Sequence, residues 1–214
     1  MTCVRLDQLA CVVQAGGRST RMGFDKATAS FLGEPLVARV LRLAAPAASE
    51  LAVTSVRPQE LSFLEGASFD GLPVRVVPDL AGPAGAMRGI ASSLAAASAP
   101  LVAVVACDMP FVSPDLLCAL AARLERDGLD VCVPRVARGI EPLCAVWRRD
   151  TCLPVARELL AQDAQRIRLL IDRVNAGYLD ESAIVAAAGS LDCFENVNTP
   201  DELAAVQERA VGSL

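Results

Sequence analysis

An apolar run that ends at a pair of glycines constrains this chain more than any other feature of its sequence. The run covers residues 9–13 and contains no polar side chain, which is typical of a strand buried on both faces. It continues through Gln14 and Ala15 to Gly16 and Gly17, where a backbone can turn tightly and present N–H groups to an anionic ligand. We therefore expect a buried strand that leads into a ligand-binding loop.

The loop after the glycines carries three cationic side chains, Arg18, Arg21 and Lys26. Guanidinium groups match the geometry of phosphate oxygens, and lysine adds a compact charge. Two common phosphate-loop patterns do not fit. G-x-x-x-x-G-K-[ST] requires lysine where Phe24 stands, and G-x-G-x-x-G does not match glycines at 16, 17 and 23. Two hypotheses are left, a different loop that binds a nucleoside triphosphate and an ordinary solvated turn, and composition alone favours the turn because lone glycine-rich turns are common.

Short apolar runs alternate along the chain with segments of helical spacing. Strands are predicted at 9–13, 51–56, 73–77, 101–106, 130–135 and 142–147, with short strands at 178–180 and 182–187. Helices are predicted at 36–45, 86–98, 114–126, 151–162 and 165–175, and from residue 199 onwards. This alternation indicates an α/β fold, a three-layer α/β/α arrangement with a mostly parallel central sheet. Because the sequence contains no linker or repeat, we expect residues 1–214 to form a single domain.

Acidic side chains follow two more of the predicted strands. Asp79 follows the strand at 73–77 and precedes a loop that contains Gly82, and Asp108 follows the apolar strand at 101–106. Since ligands bind beyond the carboxyl ends of parallel strands, we expect both carboxylates near the glycine loop. Mg²⁺ commonly takes one or two carboxylates together with substrate phosphate, so Asp108 is a candidate ligand. From the residues alone, Asp108 could instead cap the next helix, and Asp79 could lie in a surface turn.

Two asparagines, Asn196 and Asn198, precede the start of the last predicted helix. Thr199 and Glu202 have the spacing of a capping box, with Pro200 at the first helical position. Side-chain amides in such places commonly bond to the backbone of the turn. The residues alone therefore favour a structural role for the two asparagines.

The composition argues against several classes of function. The chain has no histidine, so zinc sites and nucleophilic catalysis lack their usual partner. A net charge of −5 argues against nucleic acid as a partner. No apolar run reaches the ~18 residues of a membrane span and the N-terminus has no export signal, so we expect a cytoplasmic protein. The eight cysteines include no C-x-x-C pair, and we expect them to be reduced and mostly buried.

Four motifs, in order along the chain, resemble those of the molybdenum cofactor guanylyltransferase family. They are A-G-G-R-S-x-R-M-G-x-D-K at residues 15–26, G-P-A-G at 82–85, C-D-M-P at 107–110 and N-V-N-T-P at 196–200. The resemblance implies a Rossmann-like nucleotidyltransferase fold and transfer of GMP from GTP to the molybdopterin of the molybdenum cofactor, with release of pyrophosphate and dependence on Mg²⁺. It also extends the expected partners to molybdoenzymes or cofactor-insertion proteins.

The resemblance further implies roles for particular residues. Catalysis is expected to involve Lys26, Arg21 and Asp108, with Asp108 as the Mg²⁺ ligand. The nucleotide is expected to contact residues of the three loops that follow the first, third and fourth predicted strands: Gln14, Ala15, Gly16, Gly17, Arg18, Lys26, Asp79, Gly82 and Asp108. Asn196 and Asn198 are expected to contact the acceptor or to act as second metal ligands.

Some positions depart from the usual pattern of the family and leave other functions open. Gln14 stands where leucine is typical, and Glu141 stands where histidine is common. The A-G-G triplet at 15–17 favours the guanylyl branch over the cytidylyl branch. The alternatives are a CTP:molybdopterin cytidylyltransferase, a nucleotidyltransferase with a sugar-phosphate or phospholactate acceptor, and a non-catalytic nucleotide-binding relative.

Overall fold

The computed structural model describes residues 6–16 and 26–212 of the chain. The strands are β1 (Leu9–Gln14), β2 (Ser30–Phe31), β3 (Glu34–Pro35), β4 (Glu50–Ser55), β5 (Ser68–Phe69), β6 (Leu72–Pro78), β7 (Leu101–Ala106), β8 (Val131–Val136), β9 (Gly139–Ile140), β10 (Cys144–Arg148) and β11 (Ala176–Leu179). The α-helices are α1 (Leu36–Ala44), α2 (Ala86–Ala96), α3 (Pro114–Arg126), α4 (Arg149–Ala161), α5 (Ile167–Ile171), α6 (Glu181–Ala188) and α7 (Pro200–Gly212). Turns of 3₁₀ helix lie at Lys26–Thr28, Ala45–Ala47, Pro58–Leu64 and Asp192–Phe194.

Nine of the strands in the described ranges form one sheet, in the order β11-β8-β10-β7-β1-β4-β6-β5, with β9 paired to β8. The neighbours β7, β1, β4 and β6 are parallel, and β11 is parallel to β8. Strand β10 runs antiparallel between β7 and β8, so β8 points in the same direction as β7. The predicted α/β class and the mostly parallel sheet are confirmed.

Strand β1 lies near the middle of the sheet, with helices on both faces. Cys11 and Val13 pack into a core formed with α1, α3 and α6. Ala10 and Val12 point to the other face, into a core formed with α2, α4 and α5. Successive side chains of a strand alternate between faces, so only a continuous apolar run satisfies both cores. This arrangement confirms the three layers and explains the sequence of β1.

A third, smaller core lies beneath α7. We call it the C-terminal core, and its buried members are Ala29, Phe31, Leu36, Val197, Leu203 and Val206, with Phe111 and Ala210 packed against it. These residues come from the β2–β3 hairpin, the start of α1, the turn after β7 and the C-terminal segment. The C-terminal core therefore joins parts of the chain that lie far apart in the sequence.

The segment from 165 to 188 differs from its prediction. The helix expected at 165–175 is limited to α5, and the short strand expected at 182–187 is helix α6. Asp180 caps α6 by accepting a hydrogen bond from the Ala183 amide at 3.0 Å, and Gly189 ends the helix with φ +83°. These are ordinary helix start and stop signals. The prediction of a strand was wrong because a short run of alanine and valine has no clear period.

The described cysteines are mostly buried thiols. Six of them are buried and free, and burial raises the pKa of Cys11 and of Cys152 to about 12. These thiols therefore stay protonated at neutral pH and act as small apolar groups. Cys118 is disulfide-bonded, so the expectation of reduced cysteines is wrong for that residue. In the described ranges, none of the helices has the length and apolar character needed to cross a membrane.

Candidate active site

Three predicted site segments meet where parallel strands end. The end of β1 and Ala15 are fixed to their neighbours, since the Ala15 amide donates to the Thr54 carbonyl at 2.8 Å and the Cys107 amide donates to the Gln14 carbonyl at 3.0 Å. Asp79 comes directly after the last residue of β6, so it lies at the same edge of the sheet. The ends of β1, β6 and β7 therefore form one continuous rim, as expected for the ligand-binding edge of a parallel sheet.

Lys26, Asp108 and Asn198 form a polar cluster at this rim. The Lys26 Nζ lies 3.2 Å from Asp108 Oδ2 and 2.7 Å from Asn198 Oδ1. The side chains of Lys26 and Asp108 are 19% and 20% exposed, so both are accessible to a ligand. The Val197 amide donates to the Asp108 carbonyl at 3.0 Å, which joins the C-terminal segment to the turn after β7. Residues 82 and 172 positions apart are thus brought into direct contact.

The start of α7 fixes the backbone at Asn198. Thr199 Oγ1 accepts a hydrogen bond from the Glu202 amide at 3.1 Å, and Glu202 Oε2 accepts one from the Asn198 amide at 2.6 Å. The predicted capping box is therefore present, with the glutamate bonded one residue earlier than in the usual pattern. These bonds fix the backbone from which the Asn198 side chain reaches Lys26.

Asp79 forms a second, nearly buried polar cluster beside Gly16. Its side chain is 5% exposed, and its Oδ2 lies 3.8 Å from the Nε of Arg88 on α2. Burial raises the pKa of Asp79 above its ordinary value, while the Arg88 charge and the hydroxyls of Ser92 and Thr54 act in the opposite direction. A methyl group added to Gly16 would lie 2.6 Å from Asp79 Oδ2. The absence of a side chain at Gly16 therefore makes room for this carboxylate.

Gly16→Ala is expected to destabilise the protein, because the added methyl group would overlap the Asp79 carboxylate and that side chain is too enclosed to move freely. Overpacking of this kind typically costs about 1–3 kcal/mol of folding free energy. We expect thermal unfolding to report such a loss, accompanied by weaker nucleotide binding in a calorimetric titration. Combining Gly16→Ala with Asp79→Ala should remove the clash. If Gly16→Ala were equally costly in the Asp79→Ala background, the contact with Asp79 would not be the cause.

Gln14 and Gly82 lie on the side of the rim that faces α2 and α4. The Gln14 amide packs so closely on Gly89 of α2 that a side chain there would overlap it. The Gln14 Nε2 is buried and has no hydrogen-bond partner among the described residues. Gly82 has φ +144° and contacts Leu160 of α4, and its carbonyl accepts a hydrogen bond from Arg88 Nη1 at 3.3 Å. Arg88 thus joins the Gly82 loop to Asp79.

A polar cleft of about 430 Å³ opens beside the Lys26 cluster. Arg138, at the turn before β9, is held there by hydrogen bonds of 2.8 Å to the Phe194 carbonyl and to Glu141 Oε1. Arg209 of α7 pairs with Glu195 across the same region. The residues lining the cleft are Arg138, Leu191, Asp192, Glu195, Asn196, Asn198, Glu202 and Arg209. Asn198 belongs to both the cleft and the Lys26 cluster, so the two are continuous.

The candidate site residues fall into separate groups in the structure. Lys26, Asp108 and Asn198 are in contact, Gly16 lies against Asp79, and Asn196 lines the cleft. The predictions for Gly17, Arg18 and Arg21 lie outside the described residues.

Sequence reasoning missed Arg88 and Arg138. Arg88 is the only charged residue of α2, and a lone charge in an alanine-rich helix is a signal that could have identified it. Arg138 lies in an ordinary polar turn, and its sequence context contains no such signal.

Comparison with known proteins agrees with this architecture. The sequence model of the MobA-like NTP transferase domain matches residues 11–177. A probable molybdenum cofactor guanylyltransferase from Natronomonas pharaonis is 36% identical over 199 residues, which are 92% of this chain and 96% of that protein. A protein of the same description from Pelotomaculum thermopropionicum is 33% identical over 208 residues, covering 96% and 95%. The crystal structure of molybdopterin-guanine dinucleotide biosynthesis protein A from Archaeoglobus fulgidus has a TM-score of 0.80 and 24% identity, covering 95% of this chain and 99% of that one.

The sequence matches identify the family, and the match to a solved structure supports the fold. The solved structure is below 25% identity and supports the fold alone. The domain match spans well over half the chain, and both sequence relatives align along nearly their whole length. The resemblance first drawn from the four motifs is therefore confirmed. The chain belongs to the MobA-like NTP transferase family of nucleotidyltransferases.

Proposed function

We propose that this protein transfers GMP from GTP to the phosphate of molybdopterin in the molybdenum cofactor and releases pyrophosphate, giving the guanine dinucleotide form. The observation that carries this proposal is the contact of Lys26 with Asp108 and Asn198, which puts a cation, a carboxylate and an amide at the ligand-binding edge of the sheet. The names of the relatives from Natronomonas pharaonis and Pelotomaculum thermopropionicum support GTP and the molybdenum cofactor as the substrates.

In the proposed complex, the nucleotide lies along the rim from Asp79 to Asp108. Gly16 and the backbone of Ala15 would approach the phosphates, with Lys26 as their cationic partner. Asp79, Gln14 and the Gly82 loop would contact the nucleoside. We also propose that the cationic residues Arg18 and Arg21 and the backbone of Gly17 complete this set.

Asp108 is the residue proposed to hold Mg²⁺. The described residues contain no cluster of three or more His, Cys, Asp or Glu side chains that could bind a metal by themselves. A single accessible carboxylate at the rim nevertheless fits Mg²⁺, which is often held by one or two carboxylates together with substrate phosphates. When bound, Mg²⁺ would neutralise negative charge on the triphosphate.

The proposed reaction needs no protein base. The second pKa of a phosphate monoester is near 6, so the acceptor phosphate is already anionic at neutral pH. One of its oxygens forms a bond to the α-phosphorus of GTP while the bond from that phosphorus to the bridging oxygen breaks, and pyrophosphate leaves with the electron pair. Lys26 would stabilise the charge on the leaving group. A chain without histidine can therefore catalyse this step by positioning and charge neutralisation.

The cleft beside Asn198 is the proposed acceptor site. Its volume of about 430 Å³ lies within the usual range of small-molecule sites, and it opens directly onto the Lys26 cluster. Asn196 and Asn198 would contact the acceptor there. Arg138 holds Glu141 by a hydrogen bond, so its guanidinium also limits repulsion between that carboxylate and an anionic acceptor.

Arg138→Ala is expected to raise the KM for the acceptor about tenfold and to leave the KM for GTP within a factor of two. Loss of the guanidinium removes a cation and leaves the Glu141 carboxylate unpaired near the acceptor, and tenfold corresponds to about 1.4 kcal/mol. Initial rates at varied acceptor and GTP would measure both constants. Arg168→Ala is the control, because Arg168 is an exposed cation paired with Asp172. A rise in both KM values would contradict the placement of the acceptor.

Pyrophosphate release and the dinucleotide product together test the proposed function. With molybdopterin, Mg²⁺ and GTP, we expect stoichiometric release of pyrophosphate and formation of the guanine dinucleotide. CTP should give little product under the same conditions. Efficient use of CTP would indicate a cytidylyltransferase, and turnover only with a sugar phosphate or phospholactate would indicate another acceptor. Nucleotide binding without turnover on any acceptor would favour a non-catalytic relative.

The proposal includes the organisation of the chain and its location. We propose that residues 1–214 form one nucleotidyltransferase domain, because the sheet includes strands from both halves of the described chain. We also propose that the reaction takes place in the cytoplasm, where GTP is available, and that molybdoenzymes or cofactor-insertion proteins receive the product.

A further inference from the structure

The C-terminal core connects the three segments that carry the Lys26 cluster. Phe31 follows Lys26 by a few residues, Phe111 follows Asp108, and Val197 directly precedes Asn198. Phe31 and Val197 are fully buried, and the rings of Phe31 and Phe111 pack edge to face with centroids 5.8 Å apart. The spacing of the polar groups at the rim therefore depends on how these apolar residues pack beneath them.

One partly buried cation links this core to the turn that carries Asp108. Arg39 of α1 donates a hydrogen bond from Nε to the Pro110 carbonyl at 2.7 Å. Its guanidinium carbon also lies 4.8 Å from the ring centroid of Phe31 and 5.8 Å from that of Phe111. The side chain is 14% exposed. Planar stacking combined with directional N–H donation is a property of arginine that lysine does not reproduce.

Arg42, at the next turn of the same helix, provides a natural comparison. Arg39 and Arg42 both pair with the carboxylate of Glu34. Arg42 is 47% exposed, and in the described parts of the chain its side-chain hydrogen bonds go to Glu34 alone. The two arginines share a helix and an acidic partner and differ in contact with the Pro110 carbonyl and the two rings. A difference between their variants therefore reports on that contact and on the deeper burial of Arg39.

We propose that Arg39 is a positioning residue for nucleotidyl transfer, which holds the turn of Asp108 against the C-terminal core and so sets the Asp108 carboxylate relative to Lys26 and Asn198. This inference rests on the proposed function. Catalytic groups need to be held within about 0.5 Å of the productive geometry, and a displacement of about 1 Å can cost a hundredfold in rate. Without Arg39, the Pro110 carbonyl loses its donor and the two rings lose the group that spans them.

Arg39→Met and Arg42→Met test the inference as a matched pair. We expect Arg39→Met to lower kcat ten- to a hundredfold, and to raise severalfold both the Mg²⁺ concentration for half-maximal rate and the KM for GTP measured with Mg²⁺. We expect Arg42→Met to stay within twofold of the wild type in all three quantities. Arg39→Lys keeps the charge without the planar fork, and it should recover part of kcat.

Calorimetric titration gives a readout that does not depend on turnover. Arg39→Met should bind GTP with Mg²⁺ about tenfold more weakly than Arg42→Met does, while the two should bind GTP equally in the presence of EDTA. Equal behaviour of the two variants in both titrations and in kcat would overturn the proposal. Loss of metal-free GTP binding together with a lower Tm would assign Arg39 a general structural role and would also overturn it. If Arg39→Met does not fold, the same titrations and kcat measurements on Arg39→Lys and Arg42→Lys test the proposal, and equal values for these two variants would overturn it.

The same experiments separate this inference from the proposed function. A wild type that binds GTP with Mg²⁺ but releases no pyrophosphate with molybdopterin would defeat the proposed reaction. The calorimetric difference between the Arg39 and Arg42 variants would still report whether Arg39 positions Asp108. Conversely, the wild type could be active while Arg39→Met and Arg42→Met behave alike. That result would support the proposed reaction and contradict the positioning role of Arg39.

Discussion

Replacing Asp108 with asparagine is expected to lower kcat for GMP transfer by about a thousandfold while the protein stays folded. Asparagine preserves the size of the side chain but removes the charge that is proposed to hold Mg²⁺. Deleting one well-placed electrostatic group from an active site typically costs 10²–10³ in rate, and loss of the metal ligand should lie at the upper end. The substitution would also bring an uncharged amide next to the Lys26 ammonium, which lies 3.2 Å away.

Stability should change little in Asp108→Asn. Lys26 and Asp108 are both about one-fifth exposed, and Lys26 keeps its hydrogen bond to Asn198 Oδ1 in the variant, so we expect a loss of about 1 kcal/mol of folding free energy at most. Steady-state pyrophosphate release at saturating GTP and Mg²⁺ would measure the rate, and thermal unfolding would measure the stability. Asp172→Asn is a suitable control because it removes an exposed acid that pairs with Arg168. Activity within threefold of the wild type would exclude Asp108 from a catalytic role.

Lys26→Met should lower kcat/KM for GTP by about two to three orders of magnitude. Methionine preserves much of the apolar stem but removes the charge that is proposed to neutralise the triphosphate and the leaving pyrophosphate. Asn198→Ala should cost about tenfold, because Asn198 Oδ1 accepts a hydrogen bond from Lys26 Nζ at 2.7 Å and would orient the ammonium group. These two effects come from one unit, so they should not add.

The double variant Lys26→Met with Asn198→Ala tests this coupling. If Asn198 acts through Lys26, removing both should cost no more than removing Lys26 alone. Rates for the wild type, the two single variants and the double variant complete the cycle. Gln207→Ala provides a control on the neighbouring helix, since Gln207 Oε1 accepts a hydrogen bond from the Leu32 amide outside the rim. Full additivity would mean that Asn198 acts only through its proposed contact with the acceptor and does not orient Lys26.

The strands and the rim were largely predictable because their causes are local. Strand β7 has the bounds expected from its apolar run, and the capping residues at Ser113 and Thr199 mark the helices that they begin. The parallel arrangement follows from the alternation of strands and helices, and it explains why segments that follow different strands meet at one edge. The prediction failed at α6. A short segment of small apolar residues can form a strand or a helix, and only its contacts with the rest of the fold determine which one it forms.

The contacts of the site residues were harder to predict because they depend on distances across the fold. The sequence motifs implied roles for Lys26, Asp108 and Asn198, but the residues alone favoured a structural role for Asn198. Its bond to Lys26 depends on the packing of α7 against the β2–β3 hairpin. Arg39 and Arg42 are equivalent as sequence features, and only one of them reaches the Pro110 carbonyl and the two rings.

The sequence by itself determined the α/β class, the buried central strand, the glycine that follows it and the placement of Asp79 and Asp108 after strand ends. These follow from hydrophobic periodicity and from backbone freedom at glycine, which act over a few residues. The tertiary structure alone decided which residues meet: Lys26 with Asn198, Gly16 with Asp79, and Arg39 with the turn of Asp108. The physical reason is that such contacts require close packing between segments that are distant in sequence, and the pattern of a segment does not specify its partner.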